Sequence, residues 1–324
     1  MDPPFAPRPD ERRILVVRAG AVVPVAETVR SGAVESVHHG AVVALAANGT
    51  VAWSAGEIDV AVYPRSALKP LQAQAMLDSG LRVDDAQLAV ACASHNGESE
   101  HLETVRRILA DVGLDERSLQ TTPDLPLSVA AARQIVAAGG GPTPFTHNCS
   151  GKHAAMLATA RINGWSPDDY LHREHPVQQV IDRSLADVTE GVAHTGVDGC
   201  GAPTAVVSLV GLACAMRALA MTAGCVHRAM TTHPDLVGGP GRDVTALLRA
   251  VDGLLAKDGA EGVYVAAHPD GRAVALKIAD GADRARLPVM LHALGVLGFD
   301  IDGMTLPAVL GHGHRVGEVR SLLN

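Results

Sequence analysis

The sequence has few aromatic residues and no excess of basic ones. Its 324 residues include three Phe, three Tyr and two Trp, so the core must be packed from aliphatic side chains and nucleic-acid binding by base stacking is not expected. The 27 Lys and Arg residues are outnumbered by 35 Asp and Glu, and the formal net charge is −8. Such a charge excludes the basic surface that a nucleic acid or an anionic membrane requires and favours a small-molecule ligand.

Long apolar runs and an export signal are also missing. We predict that residues 1–12, which are rich in proline, arginine and acids, form a disordered lead-in. The most apolar helical stretch, 205–216, ends at Arg217 and is shorter than the roughly 18–20 residues that cross a bilayer. We therefore predict a cytoplasmic protein without membrane contact. Its five cysteines are too widely spaced to indicate a disulfide framework.

Lysine is scarce as well. Only four of the 27 basic residues are lysines, namely Lys69, Lys152, Lys257 and Lys277. Arginine replaces a surface lysine easily but does not lose its proton near neutral pH. Lysines in this arginine-rich chain are therefore candidates for work that needs a neutral amine, although Lys257 lies in what we interpret as an ordinary loop.

Apolar patterning predicts strands near both chain ends. The runs 14–17, 40–45 and 51–53 surround an Asn-Gly turn at 48–49, and the runs 262–267 and 272–277 form a second predicted hairpin. The run 87–93 is also strand-like, and 233–242 is predicted to be a flexible loop or lid. Helical spacing predicts helices near 68–80, 99–113, 128–138, 151–163, 174–189, 205–222, 243–257 and after 281.

These elements predict an α+β fold. One antiparallel sheet is built from both chain ends, at about 13–60 and 260–281, and a helical region at about 66–257 is inserted between them. The chain from 13 to 324 is predicted to be one catalytic unit.

The segment Ser66-Ala-Leu-Lys69 is the first candidate for chemistry. A spacing of three residues brings a hydroxyl and an amine to one side of a helical turn, where a neutral lysine can act as the base for a serine nucleophile. Pro70 places this pair on the turn that enters the helix. The alternative is a helix-capping serine with a surface lysine.

Small polar residues cluster in two further segments. Ala91-Cys-Ala-Ser-His-Asn-Gly-Glu98 ends an apolar run, so Ser94 either faces a cleft or caps the next helix. Cys149 and Cys200 are either soft zinc ligands or small buried apolar residues, because the chain has no Cys-x-x-Cys pair. Lys277 lies on a predicted strand and is either directed to a cleft or solvated at an edge.

Taken together, these segments resemble the Rhizobium-type L-asparaginases, a family of Ser-Lys amidohydrolases. The phrases that carry the resemblance run in the family's order over most of the chain. They are Arg65-Ser-Ala-Leu-Lys-Pro-Leu-Gln72, Cys92-Ala-Ser-His-Asn-Gly-Glu98, His147-Asn-Cys-Ser-Gly-Lys-His153, Asp198-Gly-Cys-Gly-Ala-Pro203, His233-Pro to Arg242, Glu261-Gly-Val and Leu276-Lys277.

The resemblance implies a fold like that of serine β-lactamases and serine-dependent glutaminases, and a homodimer. It implies two Ser-Lys pairs, Ser66 with Lys69 and Ser94 with Lys277. It also implies a zinc ion, either structural or substrate-orienting. The three matching ligand positions are Cys149, Lys152 and Cys200.

The expected reaction is hydrolysis of the side-chain amide of L-asparagine, with Ser66 as nucleophile, Lys69 as its base and Ser94 as a proton relay. The expected substrate contacts are Arg65, His95, Asn96, Asn148, His153 and Asp198. Among these, Arg65 or another cation would hold the α-carboxylate and Asp198 the α-ammonium. The alternatives are another Ser-x-x-Lys acyl hydrolase, such as a β-lactamase or glutaminase, and a zinc-dependent asparagine-binding protein without activity.

Overall fold

The computed structural model describes residues 20–324. The predicted lead-in at 1–12 and the predicted strand at 14–17 lie outside the described residues.

Strands from both ends of the chain form one antiparallel sheet of eight strands. Its order is β10-β11-β1-β2-β9-β8-β7, and β3 also pairs with β2. A small second sheet has the order β4-β6-β5. The strands are β1 (Val23–Arg30), β2 (Ala33–Leu45), β3 (Val51–Ala55), β4 (Ala61–Val62), β5 (His194–Val197), β6 (Pro203–Ser208), β7 (Leu255–Gly259), β8 (Val263–Ala267), β9 (Ala273–Ile278), β10 (Ala308–Gly311) and β11 (His314–Ser321).

This topology confirms the predicted α+β class, because β2 from the first part of the chain pairs with β9 from the last part. Both predicted hairpins are present, β2 with β3 and β8 with β9. Strands β1, β10 and β11 were not predicted. They lie toward one side of the sheet. β10 and β11 carry many exposed residues, and the buried centre of β1 includes Glu27 and Thr28, so their apolar pattern is weak.

Most of the predicted helices are present. The α-helices in residues 20–324 are α1 (Lys69–Asp78), α2 (Asp85–Ala91), α3 (Ser99–Ala110), α4 (Val129–Ala137), α5 (Ser150–Ile162), α6 (Pro176–Val188), α7 (Leu209–Met221), α8 (Cys225–Thr232), α9 (Pro234–Val237), α10 (Asp243–Ala250) and α11 (Asp283–Val296).

Three sequence predictions were wrong. The run 87–93 is largely helical, because the side chain of Asp84 caps α2 and Gln87 completes a capping box. The segment 205–222 begins as strand β6 before α7. The predicted helix 243–257 ends at Ala250 and is followed by strand β7, which changes the position of Lys257.

Helices cover the centre of the sheet on both faces. Every residue of β7, β8 and β9 is buried, and α7 and α11 both pack on β8 and β9. No single helix within residues 20–324 is long and apolar enough to cross a membrane. Judged by length and composition alone, α7 and α8 together could form one membrane span, which would be broken by a bend of 88° between the two helices.

Three of the four lysines are among the largest fully buried side chains. Lys69, Lys152 and Lys257 expose 1%, 2% and 0% of their surface. An ammonium group inside a protein is costly unless polar atoms surround it. Their partners therefore locate the candidate site.

Candidate active site

Ser66 lies on a 3₁₀ turn, Arg65–Leu68, that leads directly into α1. Arg65 has a left-handed backbone (φ +53°), a conformation that is unfavourable for a non-glycine residue and is found mainly at functional sites. The turn rests on Gly259 of β7, where an added Cβ would lie 2.3 Å from the carbonyl oxygen of Pro64. Ser66 is half-buried, and within residues 20–324 its hydroxyl makes no hydrogen bond.

Lys69 follows on the first turn of α1, but its amine is directed at Ser94. Nζ lies 3.1 Å from Ser94 Oγ and 3.1 Å from Cys149 Sγ, and it also donates to the carbonyl oxygen of Ala93. The predicted Ser66–Lys69 hydrogen bond is therefore not formed in this arrangement. Instead, Lys69 connects the Ser66 turn to Ser94 and Cys149.

Ser94 accepts a second hydrogen bond from a lysine that the sequence analysis left outside the site. Lys257 Nζ lies 3.1 Å from Ser94 Oγ. The hydroxyl of Ser94 is thus held between two amines, and its residue is buried. A hydroxyl in this position can pass a proton from one amine to the other.

The predicted pairing of Ser94 with Lys277 is wrong. Lys277 Nζ donates to the carbonyl oxygens of Glu261 and Ile278. Lys257 and Lys277 both belong to the antiparallel sheet, and only the pairing of β7 with β8 brings Lys257 to Ser94. The sequence did contain a signal for strand β7. The run 253–256 is apolar and is followed by Lys257 and Gly259, a pattern that is typical of a short buried strand.

Lys257 is surrounded by charged groups. Burial lowers the pKa of Lys257 to about 8, although the adjacent Asp258 carboxylate opposes this shift and Lys69 adds to it. Burial would raise the pKa of Asp258, but the charges of Lys257, Arg242 and Arg286 outweigh burial and hold it well below its usual value. The amine of Lys257 therefore has a pKa close to the pH at which an enzyme works.

The predicted loop 233–242 is anchored to this group. Arg242 donates to the carbonyl oxygen of Ser94 at 3.0 Å and to Asp258 Oδ2 at 2.7 Å. Asn96, an expected substrate contact, donates from its side chain to the carbonyl oxygen of Pro240 at 3.1 Å. An added Cβ on Gly239 would lie 2.4 Å from that amide nitrogen. Asn96 thus holds the loop rather than standing free for a ligand.

Arg65 and Asp198, which were expected to contact opposite ends of the substrate, bind each other. Asp198 Oδ1 accepts from Arg65 Nε at 2.7 Å and from the backbone N–H of Gly199 at 2.7 Å. Burial raises the pKa of Asp198, but the charges of Lys152 and Arg65 outweigh burial and leave it below its ordinary value. Within residues 20–324, Asp198 Oδ2 accepts no hydrogen bond.

Cys149 and Cys200 lie together beside Lys152. Lys152 Nζ is 3.4 Å from Cys200 Sγ. The hydrogen bond from Cys149 lowers the pKa of Cys200 to about 5 and raises that of Cys149. Burial lowers the pKa of Lys152, but the two sulfur atoms outweigh burial and raise it. The pair is thus one thiol and one thiolate beside an ammonium group.

This set of donors fits the expected zinc site. In the described part of the chain, no three His, Cys, Asp or Glu side chains gather as a metal site. Two sulfur atoms and one amine nitrogen do converge at a buried point, however, and one sulfur is already a thiolate, the form that binds zinc. Lys152 would have to lose its proton to become the third ligand.

The other three expected substrate contacts, Asn148, His95 and His153, differ from one another in how deeply they are buried. Asn148 is half-buried, and its side-chain oxygen accepts from Cys149 Sγ at 3.1 Å. His95 and His153 expose none of their surface, and burial lowers the pKa of each well below its ordinary value. His95 bonds Ser150 Oγ at 3.0 Å, and His153 bonds the hydroxyl of Tyr170 at 2.9 Å. Both histidines are thus held inside the fold, and their expected contact with the substrate stays a prediction.

Comparisons with known proteins bear on the chain as a whole. A family model described as L-asparaginase II matches residues 26–321, a range that contains every residue of the site. No curated protein sequence matches the chain.

Several solved structures resemble the chain at low sequence identity. One is a β-lactamase from Mycobacterium bovis, with 14% identity and a TM-score of 0.35 over 80% of this chain and 92% of that one. Another is a mutant of simvastatin synthase (LovD) from Aspergillus terreus, with 12% identity and a TM-score of 0.37 over 80% and 88%. A third is Mglu in its native form, with 14% identity and a TM-score of 0.38 over 83% and 67%.

Proposed function

Because the chain belongs to the L-asparaginase II family, we propose that it hydrolyses the side-chain amide of L-asparagine to L-aspartate and ammonia. The observation that carries this proposal is the position of Ser94 Oγ, 3.1 Å from both Lys69 Nζ and Lys257 Nζ. A chain that only bound asparagine would have no need of two buried amines on one hydroxyl.

Ser66 is the nucleophile of this proposal. Its hydroxyl makes no hydrogen bond within the described residues and is partly accessible, whereas Ser94 is buried and held by two amines. Ser66 Oγ forms a bond to the amide carbon, and its proton goes to the amine of Lys69, which would have to turn from Ser94 toward Ser66. The carbon–nitrogen bond then breaks, and ammonia leaves with a proton supplied from the lysines.

Ser94 acts as the proton relay, with Lys257 in the place expected for Lys277. A proton taken up by Lys69 moves through the hydroxyl of Ser94 toward Lys257, whose pKa of about 8 suits both uptake and release. Water then attacks the acyl group on Ser66, and aspartate and the free serine are formed.

Cys149, Lys152 and Cys200 would hold the zinc ion. When bound, zinc would cross-link the segment before α5 to the segment before β6 and would supply positive charge near Asp198. Asp198, through its unpartnered Oδ2, would hold the α-ammonium group of the substrate.

Release of ammonia from L-asparagine tests the proposal. Purified protein, the Ser66→Ala variant and a Ser54→Ala control should be assayed with L-asparagine and with L-glutamine. Ser54 lies exposed on β3, away from the lysines. We expect release by the wild type and the control, and none by Ser66→Ala.

The other outcomes have distinct meanings. Release that persists in Ser66→Ala would identify Ser94 as the nucleophile. Release from glutamine alone, or turnover of a chromogenic β-lactam instead, would support another acyl hydrolase. Binding of asparagine without release of ammonia would support a binding protein.

We also propose a homodimer and a cytoplasmic location. Light scattering coupled to size-exclusion chromatography tests the first, and fractionation of the source cells tests the second.

A further inference from the structure

Lys277 differs from Arg65, Arg242 and Lys257, which each pair with a carboxylate. Arg65 pairs with Asp198, and both Arg242 and Lys257 pair with Asp258. Lys277 Nζ donates only to the backbone carbonyl oxygens of Glu261 and Ile278, and within residues 20–324 it forms no salt bridge with a carboxylate. An ammonium group has three N–H donors, so one of them is left for another acceptor.

The sheet places Lys277 on the same face as the Ser66 turn. Gly259 of β7 pairs with Val263 of β8, and Val263 pairs with Lys277 of β9. Residues paired in a row lie on one face, and neighbouring strands are about 5 Å apart, so Lys277 Cα lies about 10 Å from Gly259 Cα. Gly259 directly supports the Ser66 turn through its contact with Pro64.

The hydrogen bond to Glu261 directs the amine of Lys277 toward that turn. Glu261 belongs to the connection between β7 and β8, two residues after Gly259, and it has a left-handed backbone (φ +60°). Nζ is therefore displaced from its own strand toward the end of the sheet on which residues 64–67 rest. Burial lowers the pKa of Lys277 and outweighs the opposing charges of Glu261 and Asp280, and the Arg65 charge adds to the lowering, which agrees with a position near Arg65.

The substrate brings a charge that this arrangement leaves unmatched. L-Asparagine carries an α-carboxylate as well as an α-ammonium group, and Asp198 already neutralises Arg65. Neutral carbonyl groups fix the position of the Lys277 amine, and the carboxylates of Glu261 and Asp280 act on its charge without forming a salt bridge to it. A charged donor held in this way binds a carboxylate more strongly than a neutral donor does.

We propose that Lys277 binds the α-carboxylate of the substrate and so sets the requirement for an α-amino acid. This inference rests on the proposed amidase function. It makes Lys277 a specificity residue and removes it from the proton transfers at Ser94.

Matched substrates test this role. L-Asparagine and 3-aminopropanamide share the amine and the reacting amide, and only the first has the α-carboxylate. The kcat and KM of the wild type, Lys277→Met and Lys277→Arg should be measured with both. We expect Lys277→Met to lower kcat/KM for L-asparagine by about 10- to 100-fold, mainly through KM, to leave 3-aminopropanamide unaffected, and Lys277→Arg to recover part of the loss.

Binding measurements separate the failure of this proposal from the failure of the amidase function. Calorimetry with L-aspartate and with β-alanine, which lacks the α-carboxylate, requires no turnover. If the wild type releases no ammonia but Lys277→Met weakens aspartate binding alone, the Lys277 proposal stands and the amidase proposal falls. Equal losses on both members of each pair, or no loss on either, would overturn the role of Lys277. Absence of aspartate binding by the wild type would do the same.

Discussion

Lys257 Nζ lies 3.1 Å from Ser94 Oγ, although the two residues are 163 positions apart in the chain. Lys69 Nζ, from helix α1, lies at the same distance from the same oxygen. One buried hydroxyl therefore joins helix α1, the segment after α2, and strand β7. The predictions below concern this junction and the groups that hold it in place.

Replacing Lys257 with arginine tests the proton relay. Arg keeps the positive charge beside Asp258 but does not release a proton near neutral pH. We expect Lys257→Arg to lower kcat for asparagine by about 10² to 10⁴-fold, the usual contribution of a general acid or base. Unchanged kcat in a folded variant would show that Lys257 only holds Ser94 in position.

The pH dependence of activity should reflect the lowered pKa of Lys257. With a pKa of about 8, its amine becomes neutral as the pH rises through that value. We expect kcat/KM to rise with pH and to level off above about pH 8. The rise of kcat/KM with pH should be absent from the residual activity of the Lys257→Arg variant.

Stability should respond in a different pH window. The ordinary pKa of lysine is 10.5, so between about pH 8 and that value the unfolded chain binds more protons at Lys257 than the folded chain does. Its contribution to the free energy of unfolding therefore increases with pH across this window, and the cost of charging the buried amine is fully present below it. Urea unfolding at several pH values, compared between wild type and Lys257→Met, measures this contribution.

Arg242 should matter more for rate than for substrate binding. It bridges the carbonyl oxygen of Ser94 and the carboxylate of Asp258, and so fixes the serine against the strand that carries Lys257. Arg242→Ala should lower kcat with little change in KM, and should lower the free energy of unfolding by about 2 kcal/mol.

Arg249→Ala is the matched control for Arg242. Arg249 also pairs with an aspartate, Asp235, but the two side chains are 56% and 39% exposed. Its loss should cost less than about 1 kcal/mol and leave kcat unchanged. Equal effects of the two variants would refute a specific role for Arg242.

Gly259 is expected to tolerate no side chain. A methyl group there would lie 2.3 Å from the carbonyl oxygen of Pro64 and would displace the turn that carries Ser66. A shift of about 1 Å at a reacting group can cost about 10²-fold in rate, so Gly259→Ala should lose activity, and the clash with backbone should also lower its free energy of unfolding. Full activity in this variant would show that the turn does not depend on β7.

Zinc content is a direct measurement. The wild type should carry about one zinc ion per chain, and Cys200→Ser should carry none, because it removes the thiolate of the donor set. Cys225→Ser is the control, since Cys225 is exposed and apart from the pair. Zinc in Cys200→Ser would exclude this set as the site.

The sequence predicted the general fold and most of the residues that meet at the site. Hairpin turns and helical periodicity are local signals, and they placed both central hairpins and most helices correctly. Strands β1 and β11 were not predicted because their buried and exposed side chains follow no strict alternation. Short apolar runs such as 87–93 do not distinguish a helix from a strand, and there the capping side chain of Asp84 decides.

The error at Lys277 has a different cause. Lys257 and Lys277 both lie on buried strands, each next to small or apolar residues, and both are on the same face of one sheet. Which of them meets Ser94 depends on strand pairing and on the direction of each long side chain. Neither property can be obtained from the order of residues alone. Burial of His95 and His153 is a property of the assembled fold in the same sense.

The place of β1 between β2 and β11 has a consequence for synthesis of the chain. The ribosome synthesises Ser66, Lys69 and Ser94 long before Lys257. The partner strand β11 is translated almost 300 residues after β1. Such distant pairing slows folding and leaves strand edges unprotected in the growing polypeptide. The sheet is therefore completed only at the end of translation, and a chain stalled before β11 would expose one side of β1 to aggregation.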